Sequence, residues 1–137
     1  MQKKSRNNFF KQITLCALFL GCATLAQSQQ AKLVRVKLQS SDLSIAGKEM
    51  VQMRAEFPET ASSGRHTHPG EEIGYVLEGQ LELRVDGQVA RTLKAGDVFF
   101  IPAGVIHDGI NTATGTTKVL ATYIVEKGKP VATLVTN

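Results

Sequence analysis

From Gln30 onward the chain is a succession of short runs in which apolar and polar residues alternate, and this rhythm decides its fold class before any motif is read. Val34, Val36 and Leu38 alternate with Arg35 and Lys37, the period of a half-buried strand with its apolar side chains inward. Runs of the same kind occupy Met50–Phe57, Ile73–Leu77, Gln80–Val85, Val89–Leu93, Val98–Ile101 and Val119–Val125. Between them stand residues that reverse a chain: Phe57-Pro58, Pro69-Gly70, Glu78-Gly79, Asp86-Gly87, Ala95-Gly96-Asp97, Pro102-Ala103-Gly104 and the stretch from Asn111 to Gly115. Asp86-Gly87, following Leu81, Leu83 and Val85, predicts a hairpin closed by a type I′ turn, with positive φ at both central residues. Beyond residue 30 helical periodicity is nowhere sustained, and 137 residues suffice for one core only. The expectation is a single all-β domain over residues 27–137, an antiparallel β-barrel or sandwich.

The first 26 residues are built differently. Lys3, Lys4, Arg6 and Lys11 are unopposed by any acidic residue, Ile13 to Ala23 form an apolar run, and Thr24, Leu25, Ala26, Gln27 and Ser28 follow. This is the layout of a secretory signal peptide cleaved after Ala26 or Ser28, and it predicts a periplasmic or secreted protein. The run is shorter than the roughly 20 residues that cross a bilayer, which argues against a membrane span. Leu20-Gly21-Cys22 is similar to a lipoprotein cleavage site apart from Phe19, where such sites have Leu, so a lipid anchor at Cys22 stays open. The four basic residues carry the whole formal charge of +4, because twelve basic residues face twelve acidic ones in the remainder. With no basic patch left, a nucleic-acid partner is excluded. Cys16 and Cys22 are the only cysteines, so the domain proper has no thiol for a disulfide, a nucleophile or a metal.

The three histidines are the chemically informative residues. His66 and His68 are two apart and project to one face of a strand. Pro69-Gly70 then turns the chain so that Glu72, on the next strand, can bring a carboxylate to the same point. His107 arrives from far along the chain, after Pro102-Ala103-Gly104. Three imidazoles and one carboxylate suit one divalent transition metal, namely Mn, Fe, Co, Ni, Cu or Zn, whereas Ca and Mg ask for more oxygen. Alternation points Glu71 away from Glu72, toward solvent or an ion pair. Gly79, Gly87, Gly96 and Gly104 stand where strands reverse, and Asn111 is read as a loop hydrogen-bonder.

The segment His66-Thr67-His68-Pro69-Gly70-Glu71-Glu72, with Gly79 six residues on, resembles the first motif of the cupin superfamily. Gly96-Asp97-Val98-Phe99-Phe100-Ile101-Pro102-Ala103-Gly104-Val105-Ile106-His107, with Asn111, resembles the second. One position departs: the family's leading glycine, six before the first histidine, is Thr60 here, and Gly64 supplies a glycine instead. The resemblance implies a single-domain cupin-type antiparallel β-barrel or jelly roll with a metal on His66, His68, Glu72 and His107. It also implies a homodimer, for which the strand Lys32–Leu38 offers a sticky edge.

Four protein ligands on an octahedral ion leave two adjacent positions open to a small-molecule ligand or substrate. Remaining acid–base candidates are carboxylates, lysines, Tyr75 and Tyr123, of which Tyr123 on the last long strand is the catalytic candidate. Met50, Met53, Phe57, Phe99 and Phe100 are sized to wall a cavity, and Arg54 would meet a substrate carboxylate if it faced inward. Two functions follow: a metal-dependent enzyme, dioxygenase- or isomerase-like, acting on a small organic or sugar-like molecule, and, as the alternative, a non-catalytic module binding a metal or a small ligand. No organic cofactor is implied.

Overall fold

The computed structural model describes residues 32–136; the leader assigned to residues 1–26, with Cys22, lies outside them. Ten strands follow one another: β1 Val34–Asp42, β2 Lys48–Phe57, β3 His66–Thr67, β4 Glu71–Glu78, β5 Gln80–Val85, β6 Arg91–Lys94, β7 Val98–Ile101, β8 His107–Asn111, β9 Thr117–Glu126 and β10 Thr133–Leu134. They form two five-stranded antiparallel sheets, ordered β1-β2-β9-β4-β7 and β10-β3-β8-β5-β6, the all-β jelly roll expected from the sequence. Among the described residues no helix is long and apolar enough to cross a membrane.

Alternation does the folding. Along β9, Val119, Ala121, Tyr123 and Val125 are buried while each residue between them is only partly covered. Val119 packs in one cluster with Phe57, Val76, Phe99 and Ile101 of its own sheet and with Leu81, Leu83 and Val85 of β5 across the barrel, while Ala121, Tyr123 and Val125 form a second cluster with Val51. At roughly 25 cal/mol per Å² of apolar surface withdrawn from water, this layer is the main source of stability. Two features lock the sheets. Gly74, inside β4, leaves room for the Phe99 ring, which a Cβ would meet at 2.0 Å. Asn111, 2% exposed, donates through Nδ2 to the carbonyls of Phe57, Pro58 and Gly115 and accepts through Oδ1 from the Ala113 amide and the Thr117 hydroxyl. It serves the loop role expected of it.

Several expectations change. β1 is turned over: Val34 and Val36 pair with Glu56 and Arg54, on the outer face of the sheet, while Arg35 pairs with buried Ala55 and faces the barrel mouth. An edge strand has a neighbour on one side only, so its apolar side chains need not be the buried ones. The register shifts between Lys37 and Gln39, leaving Leu38 as the extra, exposed residue of a bulge. The turn after β5 is not type I′, because Gly87 has φ +76° but Asp86 does not have positive φ. Asp86 instead pairs with Arg65 at 2.6 Å, and β6 begins at Arg91, leaving Val89 almost fully exposed.

Thr60 explains how the chain departs from the cupin motif without losing the barrel. Among the described residues it is the one non-glycine residue with positive φ, at +63°. The backbone shape that glycine adopts freely is kept here by a β-branched residue, at a strain cost of about 1–2 kcal/mol. Thr60→Gly is therefore expected to stabilise the fold by about 1 kcal/mol, part of the relief being offset by greater freedom of the unfolded chain. A denaturation midpoint unchanged or lowered would refute this.

Candidate metal centre

β3 and the residue after it carry His66 and His68, β4 carries Glu72 and β8 carries His107, all buried at the end of the barrel. The register sets His66 opposite His107, and Glu72 opposite Tyr123. The turn through Pro69-Gly70 rides directly on β9: a Cβ on Gly70 would lie 1.9 Å from the Ile124 carbonyl oxygen, so only glycine allows Glu72 to enter at this depth. One ligand atom from each of the four side chains lies within 4.8 Å of the others. Nε2 of His68 and Nε2 of His107 stand 3.1 and 3.0 Å from the same Glu72 oxygen, Oε2.

The opposite side of each ring fixes what these nitrogens can do. Nδ1 of His66 lies 2.7 Å from the Gly64 carbonyl, Nδ1 of His68 2.6 Å from that of Val131, and Nδ1 of His107 3.0 Å from that of Val105. A carbonyl can only accept, so each Nδ1 carries a proton; the inward Nε2 then presents a lone pair when its ring is neutral and, for His68 and His107, donates to Glu72 when the ring is protonated. Burial lowers His66 to about 4, which keeps it neutral. For Glu72 burial pulls upward, but the bonds from His107 and His68 outweigh it and hold the carboxyl at about 2. Burial opposes a charge on His107, yet Glu72 and the Val105 carbonyl raise it above its ordinary value. With the rings neutral, three inward lone pairs and an ionised carboxylate thus share a dry space and need positive charge between them. A divalent cation supplies that charge, and an N₃O set suits a transition metal better than Ca or Mg.

Tyr123, 4% exposed, packs tilted against His68 at 4.7 Å between ring centroids, opposite Glu72 in the sheet. Burial, reinforced by the Glu72 charge, pushes the phenol above its usual range, so it is a donor and not a phenolate. Glu71 stays outside the cluster, opposite Ile124. Tyr75 and Phe100 are exposed on the outer sheet face, Met50 lies on that face opposite Ile124, and Arg54 is tied to Glu56 at 2.7 Å, so none of these reaches the site. Phe57 and Phe99 do wall a cavity of about 30 Å³ beside the histidines. This cavity has room for an ion or a water and little more. Outside it opens a cleft of about 340 Å³ lined by Arg35, Met53, Ser63, His66, Tyr123 and Leu134 among others. Arg35 and Ser63 are absent from the sequence-derived candidates. The reversed facing of β1 hid the first, and nothing in the spacing marked the second.

Comparison with known proteins agrees with this geometry. The HTH-type transcriptional regulator PuuR of Escherichia coli (strain K12) is 38% identical over 66 residues, covering 48% of this chain and 35% of the regulator. The chain thus spans about a third of that relative's length. A structure of oxalate oxidase superposes with a TM-score of 0.57 at 24% identity, covering 63% of this chain and 46% of that one. The DMSP lyase DddQ from Ruegeria pomeroyi DSS-3 gives 0.56 at 26%, covering 63% and 43%. The model of the Cupin domain matches residues 53–123, from β2 through Tyr123 and so across all four clustered side chains. With that match spanning more than half of its residues, the chain belongs to the cupin family.

Proposed function

We propose that His66, His68, Glu72 and His107 hold one divalent transition metal, and that the chain is an exported metal-dependent enzyme acting on a small organic molecule. The observation that carries this reading is the triple Nδ1–carbonyl pattern, which leaves the Nε2 atoms of three imidazoles free to gather with one carboxylate. The bound ion, Mn, Fe, Co, Ni, Cu or Zn, would supply Lewis acidity or redox capacity. The chain's own residues do the remainder. Tyr123 keeps its proton and places its phenol beside Glu72 where the cleft meets the cluster. Phe57, Phe99 and Val119 keep bulk water from the inner cavity.

Metal analysis of protein purified from its native compartment should give one ion per chain. Stripping that ion should cost about 3 kcal/mol of stability relative to protein saturated at 100 Kd, read as a lower melting temperature. No ion, and no shift on adding any of the six metals, would refute the metal reading. A screen of small organic acids and sugar acids, with and without oxygen, tests catalysis. The likeness to a regulator favours a second reading, ligand capture without turnover, which the same screen separates as binding with no product.

Two further proposals concern the molecule as a whole. The basic start and apolar run support cleavage of residues 1–26 or a few more, with residues 27–137 as the domain that remains. N-terminal sequencing of exported material that begins at Met1 would refute it, and a diacylated Cys22 would make the protein anchored. Dimerisation is supported by the edge position of β1, whose Val34 and Leu38 are both exposed. Light scattering should give twice the chain mass.

A further inference from the structure

The cleft outside the histidines is apolar over most of its wall, with Met53, Val131, Ala132 and Leu134 contributing. Beside the polar Ser63, His66 and Tyr123, its one charged lining residue is Arg35. This residue lines both the cleft and the inner cavity, and its charge is felt at the Tyr123 hydroxyl. Arg54, Arg65 and Arg84 each hold a carboxylate of this chain within 2.7 Å, whereas Arg35 has no carboxylate partner among the described residues. Arg35 is exposed at the rim of the mouth, and its planar donor fork, not committed to a carboxylate of the chain, is suited to receiving one from a ligand at two points.

Charge balance points the same way. On the metal reading, on which this inference rests, a divalent ion with three neutral imidazoles and one carboxylate leaves a net single positive charge. Arg35 adds a second within the same concavity, and no lining residue other than Glu72 opposes them. Such a site concentrates anions and repels cations. We infer that the substrate or ligand of this site is a small organic carboxylate, its carboxyl group received by Arg35 and its apolar body lying along Met53, Val131 and Leu134. Arg35 is then the residue that sets selectivity by charge. A cleft of about 340 Å³ fits a compact molecule of this kind.

The test uses three probes with one body and different heads: butyrate, butyramide and butylamine. Each is titrated into the full chain as purified, in metal-loaded and metal-stripped form, and followed by NMR shifts of the protein. Butyrate should bind at least about tenfold more tightly than butyramide, and butylamine should not bind. Arg35→Gln should lower butyrate affinity by about tenfold or more and change butyramide by less than about twofold, while Arg35→Lys should recover part of the loss. Chelator competition should give Arg35→Gln the parent's metal affinity. If butyrate keeps its advantage over the amide in Arg35→Gln, the anion is being held elsewhere, the metal included, and the assignment is overturned. Equal binding of acid and amide by the parent overturns it too. Should the parent bind no metal, the metal reading fails separately, and the acid–amide difference in stripped protein still decides the role of Arg35.

Discussion

His107→Ala will weaken the chain's hold on a divalent transition metal by more than the roughly 10–100-fold typical of losing a hydrogen-bond partner of a ligand. Glu71→Ala will leave affinity within about twofold of the parent. The two residues isolate the question. His107 is buried with Nε2 3.0 Å from Glu72 Oε2, and its removal deletes a donor atom and leaves the carboxylate one imidazole short. Glu71 is one residue from Glu72 but points out of the barrel opposite Ile124, so its removal changes local charge and nothing else in the cluster. Competition with a calibrated chelator reads both. Equal affinities for the two variants would mean that the distant histidine is not a ligand, and the enzyme reading would go with it.

Asn111→Asp is expected to be the most damaging isosteric change in the barrel. Nδ2 of Asn111 lies 2.8, 3.0 and 2.7 Å from the carbonyls of Phe57, Pro58 and Gly115. Exchanging that donor for a carboxylate oxygen places negative charge against three acceptors at a site only 2% exposed. Leaving a buried charge uncompensated costs about 4 kcal/mol, or more than ~15 °C in melting temperature for a domain of this size. The sign with pH follows. The introduced carboxyl has a folded pKa raised above its unfolded value near 4, so the penalty is full above the folded pKa and fades as pH falls toward the unfolded one. Thermal melts of variant and parent across that range check both parts. Parental stability at neutral pH would show that Asn111 does not pin the end of β2 to the loop before β9.

Strands with apolar inward positions were legible in the sequence. β5 and β7 fall on the boundaries that alternation gives, β2 begins two residues earlier, and β4 and β9 each begin two residues earlier and end one later. β8 was illegible as a strand because its inward positions are His107, Gly109 and Asn111, which carry chemistry and clearance in place of hydrophobicity. The two-residue strands β3 and β10 are too short for any period. The grouping of His66, His68 and Glu72 was readable because two-residue spacing and one turn determine it. Arg35 was not: pattern places the valines of β1 inward, and only pairing with β2 shows that the arginine faces the mouth while Arg54 faces out. The choice of Glu72 over Glu71 rested on register, which Gly70 settles by its contact with the Ile124 carbonyl.

The Val131 carbonyl that orients His68 gives the chain a timetable. The side chains that would carry a metal are all made by residue 107, but the group that aims one of them lies 63 residues beyond His68, next to the pairing of β10 with β3. Synthesis must run well past His107 before that ring is aimed. The cradle thus matures as the stretch around β10 docks on β3. A fusion placed close behind Leu134, or clipping just before Val131, would leave every donor atom in place and still spoil the aim of His68.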